Sequence, residues 1–208
     1  MEKSYVAACE KGILEDDFPE IKLVKETELC KNCTKIVVGG GNPDADILFV
    51  GEAPGRNEDL QGEPFVGAAG KRLGNLLEKV GLSLKDIYIA NILKCRPPEN
   101  RDPSPEEISL HTPWLLKQIE ELKPKVICSL GNYATKFFLA GGNVSEMNSQ
   151  QGITSVHGKP RIVELNGIKI KIIPLFHPAA IIYNQKLIPE WEKDFEIVKG
   201  EISQKTLI

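Results

Sequence analysis

No run in this chain is apolar for the ~18 residues that a membrane span needs, and the N-terminus lacks the basic-then-apolar order of a secretory signal. An intracellular protein is therefore expected. A basic excess is missing as well: 26 Lys and Arg against 29 Asp and Glu leave a net charge of −3, which taken alone argues mildly against a nucleic-acid partner. Binding depends on where charge sits rather than on its sum, so this excludes little by itself. Internal repeats, low-complexity segments and linkers are also absent, and 41% hydrophobic residues suffice to fill one core, so the 208 residues are expected to form a single domain. Five cysteines in an intracellular chain favour a metal site or buried thiols over disulfides.

What the chain does have is a tract from Gly51-Glu52-Ala53-Pro54-Gly55 through Glu58-Asp59 to Gly62-Glu63-Pro64-Phe65-Val66-Gly67. It follows the apolar run Ile47 to Val50, the place where parallel-sheet proteins put ligand-handling loops. Glycines and prolines let backbone N–H groups approach a small polar ligand, Glu52 supplies a carboxylate and Phe65 an aromatic face. A pocket for a flat, polar ring is the expectation.

Strand and helix signals alternate along the rest. Strands are expected at Ile47–Val50, Ile87–Leu93 and Val126–Leu130, and a hairpin turns at Asn166-Gly167 between Arg161–Leu165 and the alternating Ile168, Ile170 and Ile172. Gly70–Val80 carries Leu73, Leu76, Leu77 and Val80 at helical spacing. Ser104-Pro105-Glu106-Glu107 opens a helix towards Leu122 with a kink expected at Pro113. Gly131-Asn132 leads a helix through Phe138, and Pro189–Val198 is amphipathic with Trp191 and Phe195. The sum is a three-layer α/β/α sandwich with a mainly parallel central sheet.

Three further motifs follow in order: Cys30-x-x-Cys33, Asn91-Ile92-Leu93-Lys94-Cys95-Arg96-Pro97-Pro98 and His177-Pro178-Ala179-Ala180. With the Gly51 tract they make the chain resemble the family 4 uracil-DNA glycosylases, the thermostable iron–sulfur type, over residues 27 to 200. Residues 1–26 then form a poorly matched N-terminal extension. The resemblance implies a monofunctional enzyme that hydrolyses the N-glycosidic bond of uracil in DNA and so starts base excision repair. The alternative is a non-catalytic, metal-stapled nucleic-acid-binding protein on the same scaffold.

Each candidate residue has an ordinary structural reading beside the functional one. Glu52 could cap the following loop; the resemblance makes it the group that positions the attacking water, where a carboxylate also serves the cationic sugar of the transition state. Gly51 precedes it at the pocket. Phe65 could be core, but matches the residue that stacks on extruded uracil. Asn91 could satisfy loop backbone; its carboxamide can also accept from uracil N3–H and donate to O4, a pattern that cytosine reverses. His177, a polar residue at a strand end, matches the histidine that donates to uracil O2 as charge gathers there. His157 is expected to serve its own loop or a DNA phosphate.

For DNA contact, Arg56 with Lys71 and Arg72, and Lys94 with Arg96 and Arg101, are either solvated surface or a phosphate-binding strip. The Ala179–Tyr183 segment, with Ile181 and Tyr183, is apolar enough to wedge into the base stack, although Ile181 reads equally as core. Uracil-containing DNA, single- or double-stranded, is the implied partner. A sliding clamp is a second partner that the sequence leaves open, and the chain is expected to act as a monomer.

The resemblance assigns Cys30, Cys33 and Cys95 to a cluster whose fourth cysteine is replaced here by His111. His111 lies three residues after Ile108 and four before Leu115 and so shares the inward face of its helix. A 4Fe-4S cluster with one histidine ligand is expected; three Cys and one His also suit structural zinc. Cys9 is a further candidate for the fourth position, and Cys128, within an apolar strand, is expected to be buried.

Overall fold

The structure, a computed structural model, describes residues 19–203. In chain order the elements used below are α1 (Pro19–Glu26), α2 (Glu28–Lys31), β1 (Gly40–Gly41), β2 (Ile47–Gly51), α3 (Arg56–Gln61), α4 (Ala68–Lys79), β3 (Ile87–Asn91) and α5 (Pro105–Leu122). There follow β4 (Val126–Leu130), α6 (Gly131–Leu139), α7 (Ile153–Val156), β5 (Arg161–Leu165), β6 (Ile168–Leu175), α8 (Pro178–Tyr183) and α9 (Ile188–Ser203). Six strands form one sheet in the order β1-β3-β2-β4-β6-β5. The four inner strands are parallel, and β1 and β5 pair antiparallel at the two edges. Helices cover both faces, as the sequence leads one to expect.

Local chemistry accounts for the boundaries. Ser104 Oγ accepts from Glu107 N at 3.1 Å while the Glu107 carboxylate accepts from Ser104 N at 2.8 Å. With Pro105 at the first helical position, this capping box starts α5, which then runs through Pro113 as one element to a left-handed Lys123. Asn166 and Gly167 take φ of 48° and 80°, the two left-handed positions of a tight hairpin turn, and register Leu165 against Ile168. Strand β3 stops at Asn91, two residues earlier than the apolar run, because the chain bends and sends Ile92 N and Leu93 N to Gly51 O and Glu52 O, both at 3.0 Å.

Side chains alternate across the inner strands and are buried on both sides, as expected of a parallel sheet sandwiched between helices. One face sets Leu48, Val50, Tyr88, Ala90, Ile127 and Ile172 against Val24 of α1, Trp114 and Leu115 of α5, and Phe137 and Phe138 of α6. The other sets Ile47, Phe49, Ile89, Cys128 and Ile173 against Leu73, Leu76 and Leu77 of α4, Ile181 of α8, and Trp191 and Phe195 of α9. Phe49 stacks on Phe195 at 5.9 Å, and Trp191 meets the same ring edge-on at 5.4 Å. Burying each such aromatic contributes about 1.5–3 kcal/mol. Val24 is fully buried, so the described part of the N-terminal segment belongs to the core.

From β2 the chain moves out to β3 and then jumps back across β2 to β4, so the direction of winding reverses at β2. Ligands gather outside the carboxyl ends of strands at such a reversal. Gly51, Asn91 and, two residues past β6, His177 all lie at that end.

Candidate active site and cysteine cluster

A cavity of about 390 Å³ opens at the carboxyl ends of the strands and is lined by Glu52, Glu58, Phe65, Asn91, His177 and Tyr183 among others. A larger hollow of about 590 Å³ lies on the other side of the Phe65 loop, lined by residues 39–41 and 62–66. Among the described residues, Glu63 is the one ionisable side chain lining it. Glu52, Asn91 and His177, the residues that the sequence singles out, meet in the smaller cavity.

Asn91 is 2% exposed, and its Oδ1 is a buried acceptor with no hydrogen-bond partner among the described residues. Leaving such a group unsatisfied costs about 1–3 kcal/mol. It faces Gly51, where an added Cβ would collide with Asn91 Oδ1 and lie 3.1 Å from Phe65 Cζ. Glycine at 51 thus lets the carboxamide and the ring converge over bare backbone. Phe65 itself holds φ of 54°, a left-handed conformation that costs a bulky residue about 1–3 kcal/mol. Its main chain is held by α4: a side chain at Gly70 would overlap Phe65 O. The helix therefore braces the strained residue from beneath.

His177 is the N-cap of α8, and its Nδ1 accepts from Ala179 N at 3.2 Å. Burial, slightly opposed by the Glu58 carboxylate, lowers its pKa to about 4. The ring is therefore neutral at pH 7, and with Nδ1 already accepting, the proton resides on Nε2. That nitrogen is a neutral donor. The Phe65 and His177 ring centroids are 6.0 Å apart, so the aromatic face and the donor flank one small space.

Burial, and after it the negative charge of Asp102, raises the Glu52 pKa to about 7. Asp102 in turn interacts with Tyr133, whose phenol is pushed up to about 12 by burial first, then by Asp102 and by the charge of Glu52. Sequence reasoning assigned no role to Asp102 or Tyr133, which lie far apart in the chain and carry no shared motif. Glu58, inside the tract between Gly51 and Gly67 but not singled out, accepts from Gly67 N at 2.7 Å and closes the loop that carries Phe65. Its neighbour Asp59 points the other way, accepting from Thr34 N at 2.8 Å just after Cys33. One turn of α3 thus ties both loops.

Two of the expected DNA contacts are corrected. Lys94 is fully buried, its Nζ donating to Asn91 O at 2.9 Å, to Val38 O at 3.4 Å and to Gln118 Oε1, so it cannot lie on a phosphate strip. The signal was its setting among Ile92, Leu93 and Cys95, all buried with it. Ile181 is likewise fully buried and packs under the sheet, because α8 turns it inward. Tyr183, 90% exposed at the rim of the cavity, is the protruding residue of that segment. Arg56 and Arg96 stand at or near the surface, Arg96 Nε donating to Asn100 Oδ1 at 2.6 Å. Arg101, at the cavity rim, forks onto Glu107 at 2.6 and 2.8 Å. His157 serves structure: Nδ1 pairs with Asp194 Oδ2 at 2.8 Å and the ring lies 4.3 Å from that of Phe176.

The sulfurs of Cys30, Cys33 and Cys95 lie within 4.8 Å of one another. Cys30 and Cys95 are joined as a disulfide with Cα atoms 5.4 Å apart, contrary to the expectation of free thiols, and Cys33 is free. Three sulfurs meeting from two distant segments form a donor set for a soft metal once the pair is reduced. His111 is not among these converging atoms. Its Nδ1 accepts from Lys94 N at 3.0 Å and its Nε2 is 3.4 Å from Thr27 Oγ1, which also caps Cys30 N. The ring thus sits between the segments that carry Cys30 and Cys95. Burial first and the Lys94 charge second lower its pKa to about 4, so the imidazole is neutral. Cys9 lies outside the described residues, and Cys128 is buried as expected.

Comparison with known proteins agrees with this geometry. Residues 38–197 match the family described as the uracil DNA glycosylase superfamily. A type-4 uracil-DNA glycosylase of Archaeoglobus fulgidus is 46% identical over 192 residues, 92% of this chain and 94% of that protein. One of Thermotoga maritima is 46% identical over 187 residues, 86% of this chain and 92% of its own. A type-5 uracil-DNA glycosylase of Thermus thermophilus is 34% identical over 119 residues, 50% of this chain and 54% of its own. With the match running through both the cavity and the cysteine loops, this chain belongs to the uracil-DNA glycosylase superfamily and, within it, to the type-4 group.

Proposed function

We propose that this protein excises uracil from DNA by hydrolysing its N-glycosidic bond, leaving free uracil and an abasic site for base excision repair. The observation that carries the assignment is Asn91 Oδ1, a buried acceptor without a partner among the described residues, in a cavity between an aromatic face and a neutral imidazole donor. Uracil N3–H supplies the missing donor, while the Asn91 amide N–H₂ faces O4. Cytosine offers an acceptor at N3 and a donor at C4, so both contacts fail.

The base must leave the helix before it can enter, at a cost of a few kcal/mol that is smallest for a mispaired or single-stranded uracil. Phe65, its strained backbone held by α4, covers one face of the ring. Negative charge then gathers on uracil O2 as the bond to the sugar lengthens. His177 donates Nε2–H to that oxygen, and its neutrality is an advantage, because a neutral donor stabilises the anion without handing over a proton. Glu52 as the carboxylate orients water towards the cationic sugar carbon. The raised pKa makes it about half ionised at neutral pH. Tyr183 stands at the rim of the cavity, and Arg56 and Arg96, each next in sequence to a residue that lines it, would meet DNA phosphates. Glu52, Phe65, Asn91 and His177 line one cavity of a single chain, so a monomer suffices to form the site.

Cys30, Cys33 and Cys95 would hold a 4Fe-4S cluster, with His111 as fourth ligand. The donor set fits: three sulfurs converge, a cavity of about 280 Å³ opens beside Cys33, and a neutral imidazole stands between the two ligand segments. To bind, His111 Nε2 must give up its 3.4 Å contact with Thr27 and its proton, so the ring must change tautomer and release the bond that Nδ1 accepts from Lys94 N. Such a cluster would act as a staple joining α2 to the segment that follows Asn91, with no redox step in the hydrolysis. Structural zinc is the other occupant this donor set admits.

Release of free uracil from a uracil-containing oligonucleotide, single- or double-stranded, tests the activity. Tight DNA binding without release would favour the non-catalytic reading.

A further inference from the structure

Residues 91–95 are five successive buried residues with the base reader at one end and a cluster cysteine at the other. Their main chain is fastened on several sides. Ile92 N and Leu93 N bond to Gly51 O and Glu52 O, Lys94 N to His111 Nδ1 at 3.0 Å, and Lys94 O accepts from Val37 N at 2.8 Å. At the centre the Lys94 ammonium turns back beneath the segment to Asn91 O at 2.9 Å, with Val38 O and Gln118 Oε1 as its other acceptors. Gln118 Nε2 donates to the same Val38 O at 3.1 Å, and the Trp114 ring lies 6.0 Å from Nζ.

We infer that Lys94 is a positioning residue whose buried ammonium fixes the main chain of Asn91 and so aims its carboxamide at the base. The inference rests on Asn91 being the base reader. An ammonium inside a core is costly unless its protons are met, and among the described residues three acceptors meet them. A position that needed only filling is served at least as well by Leu or Met. What the ammonium adds is a directional, charge-assisted bond to the carbonyl of the residue that must discriminate between bases. Because α5 supplies Gln118, the bond also references Asn91 to the helix that carries His111. A small displacement of a reading group can cost about a hundredfold in rate, so such an anchor has a measurable effect.

The test is Lys94→Met, of similar length and no charge, with Gln118→Leu as a milder variant that removes one of the three acceptors. Single-turnover excision, inhibition by free uracil, affinity for abasic DNA and metal content are measured on each. For Lys94→Met the expected result is excision slowed at least about tenfold and free-uracil inhibition weakened about tenfold, with abasic-DNA affinity and metal content at parent values. Gln118→Leu should show the same pattern at a few-fold, and decides the matter if Lys94→Met does not fold. Parent-like excision and uracil inhibition in the folded variant overturn the inference. Parallel loss of DNA affinity and metal also overturns it, since that marks a merely structural lysine. Asn91→Ala run alongside separates the two assignments. If it excises uracil like the parent, the reader is wrong; if it is inactive while Lys94→Met is not, only the positioning role fails.

Discussion

Glu52 should give excision a pH dependence that an ordinary carboxylate would not. Burial is the larger cause of its rise from 4.5 to about 7, and the Asp102 charge the smaller. Protonation removes the charge that orients water, so activity is lost as pH falls through the raised pKa and is full above it. With a midpoint near 7, the ionised fraction falls from about nine-tenths at pH 8 to about one-tenth at pH 6, close to a tenfold drop in kcat/KM. With a midpoint of 4.5 the same interval would change the rate by only about 3%. Neutral His177, with a pKa of about 4, does not titrate in this range. Asp102→Asn removes the smaller cause and leaves burial, so its midpoint should move down yet stay above 4.5. The assay is kcat/KM for a uracil oligonucleotide from about pH 5 to 9 in the parent, Asp102→Asn and Glu52→Gln. A flat parent profile between about pH 6 and 8, an upward shift in Asp102→Asn, or an inflection that survives in Glu52→Gln would each refute the reasoning.

Asn91→Asp should lose uracil selectivity, because a carboxylate cannot donate to O4; uracil release at the parent rate in that variant would sink the assignment. His177→Ala should slow single-turnover excision by about 10²–10³, the loss seen when one donor to a developing oxyanion is removed, while affinity for abasic DNA stays near the parent value. Protein purified without oxygen should carry about four irons per chain and broad absorption towards the blue end of the visible range, and His111→Ala should shed that iron faster. Zinc in place of iron would favour the simpler staple, and unchanged iron retention in His111→Ala would place His111 outside the coordination.

Much of the site was legible because its residues sit inside short motifs at the ends of strands. Glu52 follows an apolar run, Asn91 ends another and His177 follows a third, and a parallel sheet brings such ends to one edge whatever the intervening sequence. The strands, the Ser104 capping box and the Asn166-Gly167 hairpin were likewise fixed by local chemistry, since periodicity, capping and left-handed turns act over a few residues. Three sulfurs at Cys30, Cys33 and Cys95 could be grouped only through the resemblance, and the fold brings them within 4.8 Å.

Tertiary structure decided what spacing cannot express. Lys94 and Arg96 are near neighbours in a basic stretch, yet the bend after β3 turns the first into the core and leaves the second near the surface. Ile181 and Tyr183 share one short helix and point to opposite fates for the same reason. Asp102 and Tyr133 reach Glu52 from elements that share no motif with it, and a raised carboxylate pKa depends on which groups surround it in space and how far water is excluded. The unpartnered state of Asn91 Oδ1 is of the same kind, since no sequence pattern states that a buried acceptor has been left without its donor. Local sequence sets which residues end each strand; only the packed fold sets which way they face and what they lack.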